Sequence, residues 1–417
     1  MTFGLVDTFF VSMLGTLPLA AVGFSMPVVF VVMNFTMGLS IGLSVVLAKV
    51  LGADQHEKAA RLTTDNLVLA VILVIAVSLL GLATIAPLFS LLGAGEDVMP
   101  FVRDYMTPWY IGVAFLVIPM VGNGAIRATG DMKTPSMIMI VAGIVNGILD
   151  PLLIFGIGPF PEMGISGAAW ATVISWMVTF VGALWVLRTR NKLITFQKPA
   201  LTEIFSSWRP VLYIGIPAGI TNLLIPVATG VMTAIIARHG PEAVAAFGVG
   251  SRVEAMAMVT IMAMGASLTT FIGQNLGAQQ LDRIKNAISI SLRFTLWFQT
   301  LISLLLILAS GLIARLFSDD AAVITIIILF LTILSFSYPS QAILMLTGSM
   351  FNSLQKPIDA MILSLIRLFI FYIPMAWLGS RWFGLTGFFI GAVIGSIIAS
   401  GITYFWLRRR LKEFSIT

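Results

Sequence analysis

Apolar residues run through this chain in long blocks, and polar residues gather in the short intervals between them. A helix needs ~20 apolar residues to cross a bilayer, whereas a membrane-spanning β-strand shows ~10 residues of alternating character. The block length therefore predicts helices. Twelve are expected, near 1–17, 26–50, 62–86, 102–122, 134–157, 165–187, 208–237, 244–274, 286–315, 323–348, 358–379 and 384–407. Gly and Pro interrupt several blocks, which membrane helices tolerate. Two blocks contain a carboxylate: Asp7 within Gly4–Ser12 and Asp150 within Asn146–Phe155. A charge at the bilayer centre costs ~2.5–3.5 kcal/mol even on a lenient scale, so such a residue faces a cavity, pairs, or changes protonation. These two acids are the first candidates for a working site.

Composition agrees with the pattern. Of 417 residues, 59% are hydrophobic and 10% charged, against about 25% charged in soluble domains. An all-α polytopic membrane protein is the expected class. Cysteine is absent, and the two histidines, His56 and His239, fall in expected loops. Disulfides and thiol-ligated metals are excluded, a His-rich metal site is disfavoured, and no cofactor is expected. A membrane-embedded enzyme would need His, Asp or Arg clustered at one membrane face, and none is found, so no enzymatic activity is expected. The net charge of +6 does not call for nucleic acid, because basic residues in membrane proteins concentrate in cytoplasmic loops. Eighteen of the 24 Lys and Arg residues lie beside the even-numbered loops or the C-terminus, which places both termini in the cytoplasm. The run Arg408–Arg410 reads as a stop signal for the last span or a contact for anionic lipid.

The chain also repeats itself. Leu19–Gly23 resembles Val244–Gly248, and Leu51-Gly-Ala53 recurs as Leu276-Gly-Ala278, both at an offset of 225. Lys133-Thr-Pro135 answers Lys356-Pro357, and Gly164–Gly167 answers Gly384–Gly387 at 220. Two lobes of six spans each are expected, residues 1–190 and 207–417, joined by a cytoplasmic linker at 191–206. An even span number gives both lobes the same orientation, a parallel repeat. The repeat makes the first span look cut short: Met232, the partner of Asp7, lies some 24 residues into its span, and Asp7 only six. An upstream start or a fragment is the expectation. Tyr372 is the partner of Asp150, so buried acids are expected in the first lobe alone.

Val6–Gly15 followed by Leu19–Gly23, the loop Gly124–Pro135, Asn146–Gly156 and Gly164–Thr172 together resemble multidrug and toxic compound extrusion (MATE) transporters. The resemblance covers nearly the whole chain. It implies a V-shaped pair of six-helix lobes that exports drugs in exchange for Na⁺ or H⁺. It also implies a monomer in a prokaryotic inner membrane, with drug-like small molecules and membrane lipids as partners. The DinF-like branch of that family keeps its acids in the N-lobe, and its cation site matches Asp7, Asn146, Asp150 and Thr172 here. The NorM-like branch carries acids in spans seven and ten, and this chain has none there.

The residues themselves fit that chemistry. Asn146 and Asp150 are four apart and share a helix face. Pro151 removes a backbone donor and can free a carbonyl one turn earlier. Two carboxylates, an amide oxygen and a hydroxyl suit a hard cation, and the carboxylates alone suit a proton. A packing hydrogen bond between Asn146 and Asp150 is the plainer alternative. Arg367, inside span eleven, either faces a cavity or reaches back toward Lys356. Arg252 and Glu254 read as interfacial, and Asp131 and Lys133 as a solvated loop. Tyr372 and Met232 are further cavity candidates, and Pro217 and Pro226 with Pro151 are candidate hinges. The 22 Met and 29 Phe suit a pocket for varied lipophilic cations. A flippase for lipid-linked oligosaccharides is the nearest rival reading, although Arg367 is the one strong candidate for an intramembrane arginine.

Overall fold

The computed structural model describes residues 2–198 and 200–413, so the outer limits of the expected lobes, residues 1 and 417, lie outside the described residues. The described residues are helical with no strand among them. The first half contains α1 (Thr2–Ser12), α2 (Thr16–Gly52), α3 (His56–Leu91), α4 (Met99–Gly112), α5 (Ala114–Ala128), α6 (Lys133–Phe155) and α7 (Gly164–Trp185). The second half contains α8 (Leu201–Ile236), α9 (Pro241–Gly277), α10 (Leu281–Phe317), α11 (Ala321–Leu334), α12 (Tyr338–Ser353), α13 (Pro357–Leu365) and α14 (Ile373–Glu413). The chain divides into two compact units, one ending at Ile216 and the other beginning at Pro217, within α8.

These pieces assemble into the twelve expected spans. α4 and α5 form one span bent by 45°. α11 and α12 join through a 3₁₀ turn, Ser335–Ser337, and α13 runs into α14 through a π-helical segment, Ile366–Tyr372. α14 then doubles back at Phe383 and Gly384, the latter at φ 61°, and so supplies two spans. Several helices run five to seven residues past the expected spans, and one boundary moves further. Residues 18–25 were expected as loop, but α2 starts at Thr16, because Gly15 at φ 116° makes the break and Pro18 sits in the first helical turn, where no donor is missed.

The repeat is written in the backbone. Left-handed conformations fall at Gly15 and Gly240, at Asp54 and Gln279, at Gly130 and Gln355, and at Gly164 and Gly384. These are the offsets of 225 and 220 read from the sequence. Each pair turns the chain between equivalent helices.

Close helix approach is achieved with glycine, as expected where burial of apolar surface gives no driving force between helices. In the hairpin of α14, a Cβ on Gly387 or Gly391 would collide with the carbonyl of Gly379 or Met375, and one on Gly395 would stand 2.7 Å from the Phe371 carbonyl. In the first half, Gly167 of α7 approaches the Leu153 carbonyl of α6 in the same way. That contact sets the pair that carries the polar residues. α6 turns Ile140, Ile144 and Ile148 outward, each more than half exposed, and turns Asn146 and Asp150 inward.

Candidate functional site

Three helices of the first unit bring one polar cluster together. α1 carries Asp7, α6 carries Asn146 and Asp150, and α7 carries Thr172; each packs on the other two. Asn146 and Asp150 are almost fully buried, at 1% and 0% exposure. Asn146 Nδ2 donates to Asp150 Oδ1 at 3.2 Å and to Thr172 Oγ1 at 3.4 Å. Thr172 Oγ1 donates to Asp7 Oδ2 at 3.1 Å. The result is a chain, Asp150–Asn146–Thr172–Asp7, that joins residues 165 positions apart. The two carboxyls also lie within interaction range of each other. Tyr105 on α4 faces both acids and is itself buried. Nothing in the sequence pattern singled it out.

Three oxygens of this cluster are buried with no hydrogen-bond partner: Asp7 Oδ1, Asn146 Oδ1 and Asp150 Oδ2. An unsatisfied buried polar group costs on the order of 1–3 kcal/mol, more when charged. Other buried acids of the chain are treated differently. Asp65 on α3 is 2% exposed and is held by Arg61 Nη2 at 2.6 Å, with Ser207 donating at 2.8 Å. Asp359 on α13 is held by Arg410 at 3.0 Å. Among the described residues no Lys, Arg or His stands at ion-pair distance from Asp7 or Asp150. Two neighbouring carboxylates with no cation and open oxygen lone pairs compete for the same positive charge, a proton or a hard metal ion. Among the described residues no group of three or more His, Cys, Asp or Glu is placed to hold a metal. A cation here would rely on the amide and hydroxyl oxygens as well as the two acids.

The remaining candidates lie elsewhere. Pro151 adjoins Asp150 inside α6, which continues through it unbroken. α8 likewise passes through Pro217 and Pro226 as one helix. Met232 is 1% exposed in an apolar cluster with Phe247, Phe330 and Phe388, against which Tyr372 packs. Arg367 does not reach back toward Lys356: its Nη2 donates to Gln341 Oε1 at 3.2 Å. The expectation that only the first half buries acids is wrong, since Asp359 is 7% exposed and Glu254 faces Gln341 and Arg367. Glu254 lies thirteen residues into α9, roughly 20 Å from its start. Asp131 is no free loop residue either, because it accepts from the Thr134 hydroxyl and from the Lys133 and Thr134 amides that open α6.

A family model, MatE, matches residues 1–152 and 217–378. The chain is 39% identical over 411 residues to a protein of Shewanella oneidensis named FAD transporter, covering 99% of this chain and 91% of that one. It is 28% identical to the probable multidrug resistance protein YoeA of Bacillus subtilis, over 80% of this chain and 70% of the relative. Among solved structures it resembles the Vibrio cholerae MATE transporter VcmN in the bent form, with a TM-score of 0.94 at 34% identity, covering 99% of this chain and 93% of that one. An outward-facing multidrug resistance MATE transporter of the MOP superfamily aligns at TM-score 0.91 and 26% identity, over 100% and 93% of the two chains.

Proposed function

The chain belongs to the MATE family of multi-pass membrane transporters, and on that premise we propose that it exports small molecules in exchange for Na⁺ or H⁺ bound at Asp7, Asn146, Asp150 and Thr172. It is a transporter and not an enzyme. One observation carries the proposal: among the described residues Asp7 and Asp150 have no cationic neighbour and leave buried oxygens open, while Asp65 and Asp359 are closed by arginines and Glu254 faces Gln341 and Arg367. A site that must take up and release a positive charge requires that difference.

In this reading the chain works by alternating access of two six-span lobes, residues 1–190 and 207–417, as a monomer in a prokaryotic inner membrane with both termini inside. It sits with the DinF-like branch, whose acids lie in the first lobe. A lipophilic cation is drawn toward the charged acids from the cytoplasmic side. Entry of the coupling ion from outside neutralises them, weakens that attraction and releases the substrate outward. The membrane potential adds ~2.3 kcal/mol per charge per 100 mV.

Dye efflux from energised vesicles tests the mechanism. Asp150→Asn supplies a carboxamide where a charge is required, so efflux should fall at least about tenfold, within the range of coupling free energies between linked sites. Efflux by this variant at the wild-type rate sinks the proposal. A Na⁺ gradient alone and a pH gradient alone then identify the coupling ion. A second substrate class has its own support. The Shewanella relative is named for FAD, so anionic dinucleotides join lipophilic cations as cargo to be assayed.

A further inference from the structure

The second unit contains a polar cluster that the coupling reaction does not use. Arg367 opens the π-helical segment Ile366–Tyr372, ten residues or roughly 15 Å into its span. Its Nη2 donates to Gln341 Oε1 at 3.2 Å, and Gln341 Nε2 donates to Ser337 Oγ at 2.9 Å. Arg367 Nε is buried and has no partner, and neither has the hydroxyl of the fully buried Tyr338. Glu254 and Tyr372 complete the cluster. Glu254 faces the guanidinium without forming an ion pair with it within 4.0 Å.

That geometry is unlike a structural salt bridge. Two opposite charges deep in a protein close on each other when they serve only stability, as Arg61 does on Asp65 at 2.6 Å. Arg367 instead rests on a neutral amide and keeps an N–H unfilled. A guanidinium offers its donors in a fork that fits two oxygens of one phosphate or carboxylate, and Gln341 occupies only part of it. The π segment adds a second sign. Such wide turns are rare, are frequent at functional sites, and shift the register of the side chains they contain. Pro374, just beyond it, cannot donate to the Ile370 carbonyl, which gives the helix a reason to widen there.

We propose that Arg367, with Gln341 beside it, receives the anionic phosphate or carboxylate group of a transported substrate, which displaces Gln341 from the guanidinium. Glu254 balances the arginine while the site is empty and disfavours anions that cannot make the paired contact. The proposal rests on the export reading above and assigns the second unit to substrate selection.

FAD, riboflavin and ethidium serve as probes in proteoliposomes of neutral phosphatidylcholine. Riboflavin shares the isoalloxazine ring but lacks the pyrophosphate. Arg367→Gln should lower FAD transport relative to ethidium and riboflavin by roughly tenfold or more, the loss of a charge-assisted contact. Arg367→Lys should recover part of it, and Glu254→Gln should raise FAD transport relative to ethidium. Equal losses for all three probes in monodisperse protein overturn the proposal, as does FAD transport untouched by Arg367→Gln. Added phosphatidylglycerol distinguishes a lipid source of the phosphate: an Arg367-dependent response to that lipid, with no discrimination among the probes, also overturns it. If the wild-type protein moves none of the probes under any gradient, the export reading falls and takes this proposal with it.

Discussion

The two halves of the chain turn at equivalent residues and close their helix pairs with glycine, yet they place buried charge in opposite ways. The first half holds two acids with open oxygens and no cation among the described residues, on α1 and α6. The second holds an arginine with an open donor and a carboxylate that does not close on it, on the π segment and α9. Met232 and Tyr372, the repeat partners of Asp7 and Asp150, are an apolar core residue and a phenol. Duplication thus reproduced the backbone and left the chemistry free to diverge. The lesson is that a repeat predicts where the chain turns and packs, and says little about which copy carries a charge or of which sign.

The largest effect should come from the feature the halves share. Gly391→Val would force a side chain into the Met375 carbonyl, and Gly167→Val one into the Leu153 carbonyl. Neither backbone can withdraw without separating the helix pair, so both variants should fail to yield folded protein in fluorescence-detected gel filtration. Gly401→Val, with nothing within 4 Å, should behave as wild type. If Gly167→Val folds normally while Gly391→Val does not, the packing rule is not common to both halves.

A smaller effect separates acids that hold the fold from acids proposed to work. Asp65→Asn strands Arg61, whose side chain is 18% exposed, and also weakens the contact to Ser207. A loss of about 2–3 kcal/mol is expected, below the usual range for a broken buried pair because Arg61 reaches solvent. It should appear as a lowered Tm in detergent. Asp150→Asn strands no cation, so its Tm should not fall, although coupled efflux does. A fall in Tm for Asp150→Asn as large as that for Asp65→Asn would erase the distinction.

The smallest effect lies outside the membrane. Hydrogen bonds from the Thr134 hydroxyl, followed by backbone amides and Arg190, hold the Asp131 carboxyl below its ordinary value of 3.8. A carboxyl lowered on folding stabilises the fold above its ordinary value, and the contribution is lost as pH falls through the folded value. Asp131→Ala should therefore cost about 1 kcal/mol at pH 7, the usual worth of a helix-opening cap. The Tm gap to wild type should close as pH falls below that ordinary value. A gap that stays constant down to pH 3 would show that the charge is not what matters.

Much of the fold was legible in one dimension. Twelve apolar blocks, most of their boundaries to within about two turns of helix, and the offsets of 225 and 220 follow from block length and from turn residues. The start of α2 was misplaced because a stretch with Pro18 and Gly23 reads as loop when Gly15 alone breaks the helix. Asp7 and Asp150 stood out because charge inside an apolar block is costly. Asn146 could be joined to Asp150 by helical spacing, whereas Thr172 was reached through family resemblance. That Glu254 meets Gln341 and Arg367 was not legible, because those residues stand 87 and 113 positions away and no spacing links them to it.

Helix number, span length, the repeat and the cost of the two acids are local properties, and the sequence by itself determined them. Which residues meet was decided only by the tertiary structure. Asp7 finds Thr172 across 165 positions, and Arg367 finds Gln341 rather than Lys356. The physical reason is that apolar faces do not select their partners inside a membrane, where lipid is as good a neighbour as another helix. Backbone contacts at glycines such as Gly167 and Gly391 choose the pairs, and the polar side chains are brought together as a consequence.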